Sequence, residues 1–360
     1  MRNHSLFSIA MFAFSIITLA GCGGGGGGPA PAGTTVNRGV VTAEGNIVVN
    51  GTFYNISSAN IMLDGLPGKK GDLKVGMVVT VKGIFDNRTS HAIRRTATSV
   101  EYATDFQGPV DCANPLNNSL TIMGQQVLVG SASPTQTVFA NFTSNQNIFA
   151  DIDTVGKLNP HLSPVYISQL PDPPLATYSM VKVSGFYNDV YGFQATRIEL
   201  LAQNVDLATS FPIGIRGTIS GVDLPGKAFN IGNLTVDYSG MNPVDYSGMN
   251  PVYVPTQLVE GFFVSLTGFS SDYSPSSAPS LTIVAPQLIK PINGGISARE
   301  GDHATVAGFV TGLSGSFFKI GGTPVDASFI SLSGISNAVF LEVEGIFRKG
   351  ILVVSNIKQF

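Results

Sequence analysis

The 360-residue chain has no tryptophan, two cysteines and four histidines, and only 12% of its residues are charged. Each scarcity excludes something. Two cysteines cannot build a disulfide framework. The charge content is about half the share usual in soluble proteins, which argues against charged surface helices and for alternating strands. No two histidines stand at ligand spacing and no His-Glu-x-x-His occurs, so no metal site is expected. A Gly-x-Ser-x-Gly elbow is also missing. Gly23, Gly25 and Gly28 match a dinucleotide fingerprint only formally, inside a glycine homopolymer with no strand before it. Asp151 and Asp153 open like a calcium loop, but Val155 and Leu162 stand where oxygen ligands belong. No cofactor and no catalytic residue are therefore expected.

The longest apolar run is Leu6 to Leu19, behind Arg2. Its length falls short of the roughly 20 residues that span a bilayer, so it reads as an export signal. Leu19-Ala20-Gly21-Cys22 resembles the bacterial lipobox, which implies cleavage and lipidation at Cys22. Gly23 after the cysteine, by resemblance to known sorting signals, implies the outer membrane. Residues 23–35 read as a flexible Gly-rich tether reaching about 20 Å. With Cys22 acylated, Cys112 is the one thiol left, expected to be buried and inert.

The rest is organised around a repeated strand. Leu73 leads to Val79-Thr80-Val81-Lys82-Gly83, Leu175 to Val181-Lys182-Val183-Ser184-Gly185, Leu258 to Val264-Ser265-Leu266-Thr267-Gly268, and Ile335 to Leu341-Glu342-Val343-Glu344-Gly345. In each copy the leading apolar residue lies ten positions before the closing glycine. Strand side chains alternate between faces. Val81, Val183, Leu266 and Val343 are thus expected inward, and Lys82, Ser184, Thr267 and Glu344 outward.

Two further marks precede it. A strand opens with Gly39, Gly108, Gly217 or Gly308, and an apolar strand turns on Gly51, Gly124, Gly232 or Gly321. These read as two arms of a hairpin, with the second glycine supplying the positive φ of a tight turn. A last strand follows at Ala97–Tyr102, Ala195–Leu200 and Leu352–Ile357, with Leu281–Val284 taking that place in the third unit. Between the second and third marks the spacing is 32, 61, 36 and 24 residues, so one connection carries the variation.

Fixed strands with one variable connection imply an all-β protein of tandem five-stranded barrels of the OB kind. The expected order is a lipoprotein signal at 1–22, the tether at 23–35, and barrel repeats at 36–104, 105–204 with an insertion at 134–175, 213–291 and 300–360. The first repeat holds eight basic against five acidic residues and the rest of the mature chain eleven against eighteen. The basic repeat lies next to the lipid. Val236 to Pro243 recurs at once as Val244 to Pro251, and the second copy is expected to lengthen a surface loop.

The three marks and the Ala-Thr-x-Ile/Val-Glu strand resemble the bacterial group of domains of unknown function DUF5666, whose members often stand in tandem behind a lipoprotein signal. The resemblance covers residues 38–203 best, and Tyr178 and Ala338 replace the inner glycine of the repeated strand in units two and four. It implies no activity and no catalytic residues.

The aromatics beside the closing glycines, Phe85, Phe186, Tyr187, Phe269 and Phe347, are expected in barrel cores because every unit repeats them. The acidic later units argue against nucleic acid as a partner. The expected function is a non-enzymatic cell-envelope lipoprotein, held to the membrane by its lipid anchor and acting as a binding, scaffold or spacer protein towards an envelope protein or glycan. An envelope enzyme with a site assembled between repeats, and an oligosaccharide-binding module, are the alternatives.

Overall fold

A computed structural model describes residues 33–86, 94–114, 117–142, 177–188, 190–239, 258–274, 281–284, 288–291 and 295–360. Among these the regular elements are strands and two short 3-10 turns, with no helix long and apolar enough to cross a membrane.

Four units repeat one strand order. In unit one the strands are Gly33–Ala43, Ile47–Val49, Thr52–Asn55, Val78–Asp86 and Arg94–Tyr102. The first pairs antiparallel with the second and fourth, the second with the third, and the fifth antiparallel with the fourth and parallel with the third. The ring closes as first, second, third, fifth, fourth. Unit two repeats it with Phe106–Asn114, Ser119–Ile122, Gln125–Val129, Thr177–Asn188 and Gly192–Asp206. Unit four does so with His303–Ser314, Phe317–Ile320, Thr323–Asp326, Phe340–Arg348 and Ile351–Gln359. Unit three begins with Pro212–Asp223, Ala228–Ile231, Leu234–Asp237 and Phe263–Phe269, and its last strand comes in two pieces. Leu281–Val284 lies parallel to the third strand, and Leu288–Pro291 antiparallel to the fourth. Closure leaves few exposed strand edges.

The marks have local causes. The hairpin turns Asn50-Gly51 and Met123-Gly124 put both central residues at positive φ, which is the two-residue turn that matches strand twist. The closing glycines Gly83, Gly185 and Gly345 sit where the pairing of fourth and fifth strands shifts register. A Cβ at Gly185 would lie 2.0 Å from the Gln194 carbonyl oxygen, so the bulge admits only glycine. Alternation holds too: Val81, Val183, Leu266 and Val343 are all fully buried. Of their outward neighbours, Thr267 and Glu344 are exposed and Lys82 is half-buried.

Ser184 differs. It faces out of its own barrel yet is buried, because unit one covers it: the Val78 amide donates to Ser184 Oγ at 2.9 Å. Nearby, Thr196 Oγ1 donates to the Gly76 carbonyl at 2.6 Å and Arg197 Nη1 to the Val75 carbonyl at 3.1 Å. The units are packed together and not strung in a row. First strands make the other seams. Thr35–Arg38 of unit one pairs in parallel with His303–Val306 of unit four. Gly214 and Ile215 of unit three pair with Gln107 and Phe106 of unit two. One apolar core runs through units two and three. Val36 of unit one belongs to the core of unit four.

The first strand starts at Gly33, inside the stretch read as tether, because Gly33 to Thr35 pair with Phe85 to Gly83. The described start of the insertion also packs. Val138–Ala140 adds in parallel to Arg197–Glu199, and Phe139 and Phe142 lie against the core. Val236 and Tyr238, in the first copy of the duplicated octapeptide, are buried in unit three; the second copy lies outside the described residues.

Candidate functional site

On the first strand of unit one, Asn37, Gly39 and Val41 face the barrel interior, so Val36, Arg38 and Val40 face outward. Outward here means toward the other units. Val36 enters the core of unit four, and Val40 joins the junction cluster of Val78, Phe186, Ala307 and Phe340. Phe340 takes Phe186 and Phe309 edge-on, each at 5.1 Å between ring centres. The Phe186 side chain therefore packs between barrels and not in its own barrel's core. Phe347 does lie in the core of unit four, and Tyr187 packs against the core of units two and three. Phe269 is half-buried, and the Phe85 side chain lies outside the described residues.

Beside this junction is a cavity of about 640 Å³. All four units wall it: Arg38 from unit one, Phe186 and Phe193 from unit two, Arg216 and Phe263 from unit three, and Phe309 and Gly321 from unit four. Asp105, in the link between units one and two, completes it. Thr218 and Lys319 are exposed and stand at its rim.

Three charges meet here. The Asp105 carboxylate accepts from the Gly185 amide at 3.0 Å and lies 3.6 Å from Arg216 Nη1. Arg216 also stands over the Phe263 ring, 5.9 Å from its centre. Arg38 has neither kind of contact: its Nη1 is buried and has no hydrogen-bond partner among the described residues. It lies against unit four, where a Cβ on Gly321 would come within 2.3 Å of it. Burial pushes the Arg38 guanidinium below its ordinary value, Asp105 pulls it back up, and Arg216 pushes it further down. Burial likewise pushes the Asp105 carboxyl up, against the pull of Arg216, Arg38 and the Gly185 amide.

A second space, of about 690 Å³, lies between units one and two and reaches Pro212. Its cations are already matched: Lys182 with Asp64 at 2.8 Å, and Arg197 with Glu199 at 3.0 Å. Of these two spaces, the central cavity is the one whose charges are unmatched among the described residues.

The two arginines occupy the same repeat position, each directly before the first-mark glycine, Gly39 or Gly217. That shared Arg-Gly step is the signal sequence reading passed over. Of the residues weighed from the sequence, Cys22, Asp151 and Asp153 lie outside the described residues, and so do the histidines His91 and His161. Cys112 has its backbone in the first strand of unit two and His303 is exposed. Among the described residues no group of His, Cys, Asp and Glu is placed to hold a metal ion.

Residues 36–101 and 107–199 each match the family described as Domain of unknown function (DUF5666). The matched residues make up the first two barrels, which are similar to that family. Units three and four lie beyond the matched residues yet repeat the strand order of the two matched barrels. Arg38, Phe186 and Phe193 of the cavity lie within the matched residues, and the two later units close it. No curated protein and no solved structure matches the chain.

Proposed function

We propose that this protein is a non-enzymatic cell-envelope lipoprotein, anchored through Cys22 at the outer membrane, which binds a small ligand in the cavity between its four barrels. The observation that carries this reading is the shared wall: one space of small-molecule size that needs side chains from every unit. Residues that only spaced a partner from the membrane would have no need of it. In favour of binding over catalysis, the wall offers arginine, aromatic and threonine side chains, and its one carboxylate is engaged by Gly185 and Arg216. The basic first repeat, beside the tether, would sit nearest anionic headgroups or glycan.

Two measurements test it. The Cys22→Ser protein is expected to leave the membrane fraction on a salt wash, since a lipid chain supplies the affinity that the polar surface lacks. Its full retention would remove the anchor. Protein extracted from cells in mild detergent and then denatured is expected to release a bound small molecule. Thr218→Trp, which fills the rim, is expected to abolish that release while leaving the fold intact. Equal release from both proteins would place the ligand elsewhere.

A further inference from the structure

Resting on that reading of the central cavity, we infer that its ligand is a ring-bearing monocarboxylate, with the acid group on Arg38 and Arg216 and the ring among the phenylalanines. The first reason is the bare Arg38 Nη1. A buried charged donor without a partner is costly, and an anion in the cavity would satisfy it. The second is charge. The inner wall holds Arg38 and Arg216 against Asp105, with Lys319 at the rim, so the cavity carries a surplus of positive charge that an anion offsets. Asp105 would repel a second negative charge, which disfavours a phosphate dianion. The third is shape. The planar guanidinium fork matches a carboxylate with two parallel hydrogen bonds. Phe186, Phe193, Phe263 and Phe309 then leave an apolar space for a flat body, where rings meet edge-to-face.

The test is titration calorimetry on the full-length protein in mild detergent, with benzoate, its neutral analogue benzamide, and inorganic phosphate as probes. Benzoate is expected to bind one per chain and at least about tenfold more tightly than benzamide, the value of one charge-assisted hydrogen-bonded pair. Phosphate is expected not to displace it. Arg38→Met is expected to erase the preference for benzoate. Should that variant fail to fold, Thr218→Trp serves in its place and is expected to block benzoate altogether. Benzamide binding as tightly as benzoate, or a preference that survives Arg38→Met, would overturn the carboxylate while leaving the cavity as a ligand site. Displacement by phosphate would overturn the carboxylate in favour of phosphate chemistry. Folded wild-type protein that takes none of the three overturns the carboxylate inference, and Thr218→Trp, if it still releases the cellular ligand, then overturns the cavity as well.

Discussion

At the position where units one and three carry Gly76 and Gly261, unit four carries Ala338, and all three share left-handed backbone with φ of 90°, 83° and 69°. Glycine adopts that conformation freely, whereas an L side chain is strained in it by about 1–2 kcal/mol. Ala338→Gly is therefore expected to stabilise unit four by about 0.5–1 kcal/mol, once the greater freedom of glycine in the unfolded chain is subtracted. A urea unfolding midpoint unchanged or lowered would show that the strain is relieved elsewhere. The reverse change at Gly76 would be severe for a second reason. A Cβ there would meet the Thr196 carbonyl oxygen of unit two at 2.6 Å, so the same repeat position also sets how closely two barrels approach. Tyr178 escapes the constraint because it lies within the long fourth strand of unit two, paired with Val205.

Between elements, the seams decide stability. Val36 is on a strand of unit one but is buried in the core of unit four. Val36→Ala is expected to cost about 1–3 kcal/mol and to speed amide exchange along His303–Val306 of unit four as well as in unit one. Exchange confined to unit one would mean that the seam contributes little. A second seam joins units two and three through Asp111, whose Oδ1 accepts from the Tyr273 hydroxyl at 2.6 Å and whose Oδ2 accepts from the Gly124 amide at 2.8 Å. Burial pushes the Asp111 carboxyl up to about 7, outweighing those two hydrogen bonds. In the unfolded chain the same group loses its proton near ~3.9. Between those values the folded protein holds a proton that the unfolded chain does not, so stability is full below about pH 4 and falls as pH rises through about 7. The expected outcome is a higher unfolding midpoint at pH 5 than at pH 8, with the difference reduced in Asp111→Asn. An undiminished difference in that variant would assign the pH dependence to other groups, Asp105 first among them, since its carboxyl is pushed in the same direction.

Over the whole molecule, the architecture of each unit was legible and their assembly was not. The turn glycines, the closing glycines and the alternation around Val81, Val183, Leu266 and Val343 are local instructions, carried by a few consecutive residues and enforced by backbone sterics and burial. Repeated four times, they were enough to yield barrels, including Leu281–Val284 in the last-strand place of unit three, though not its second piece Leu288–Pro291. Ser184 and Phe186 marks the limit of that reading. Alternation correctly pointed Ser184 out of its own barrel, but no local pattern says that another barrel lies there. Arg38 and Arg216 are hidden in the same way. On an isolated barrel each would be an ordinary solvated arginine, and only the seams between units bring them to one cavity with Asp105. The chain's own pattern thus determined what each repeat becomes, because strand and turn preferences act over short distances. The tertiary structure alone decided which outward faces meet and what space remains between them, because that depends on packing among residues far apart in sequence.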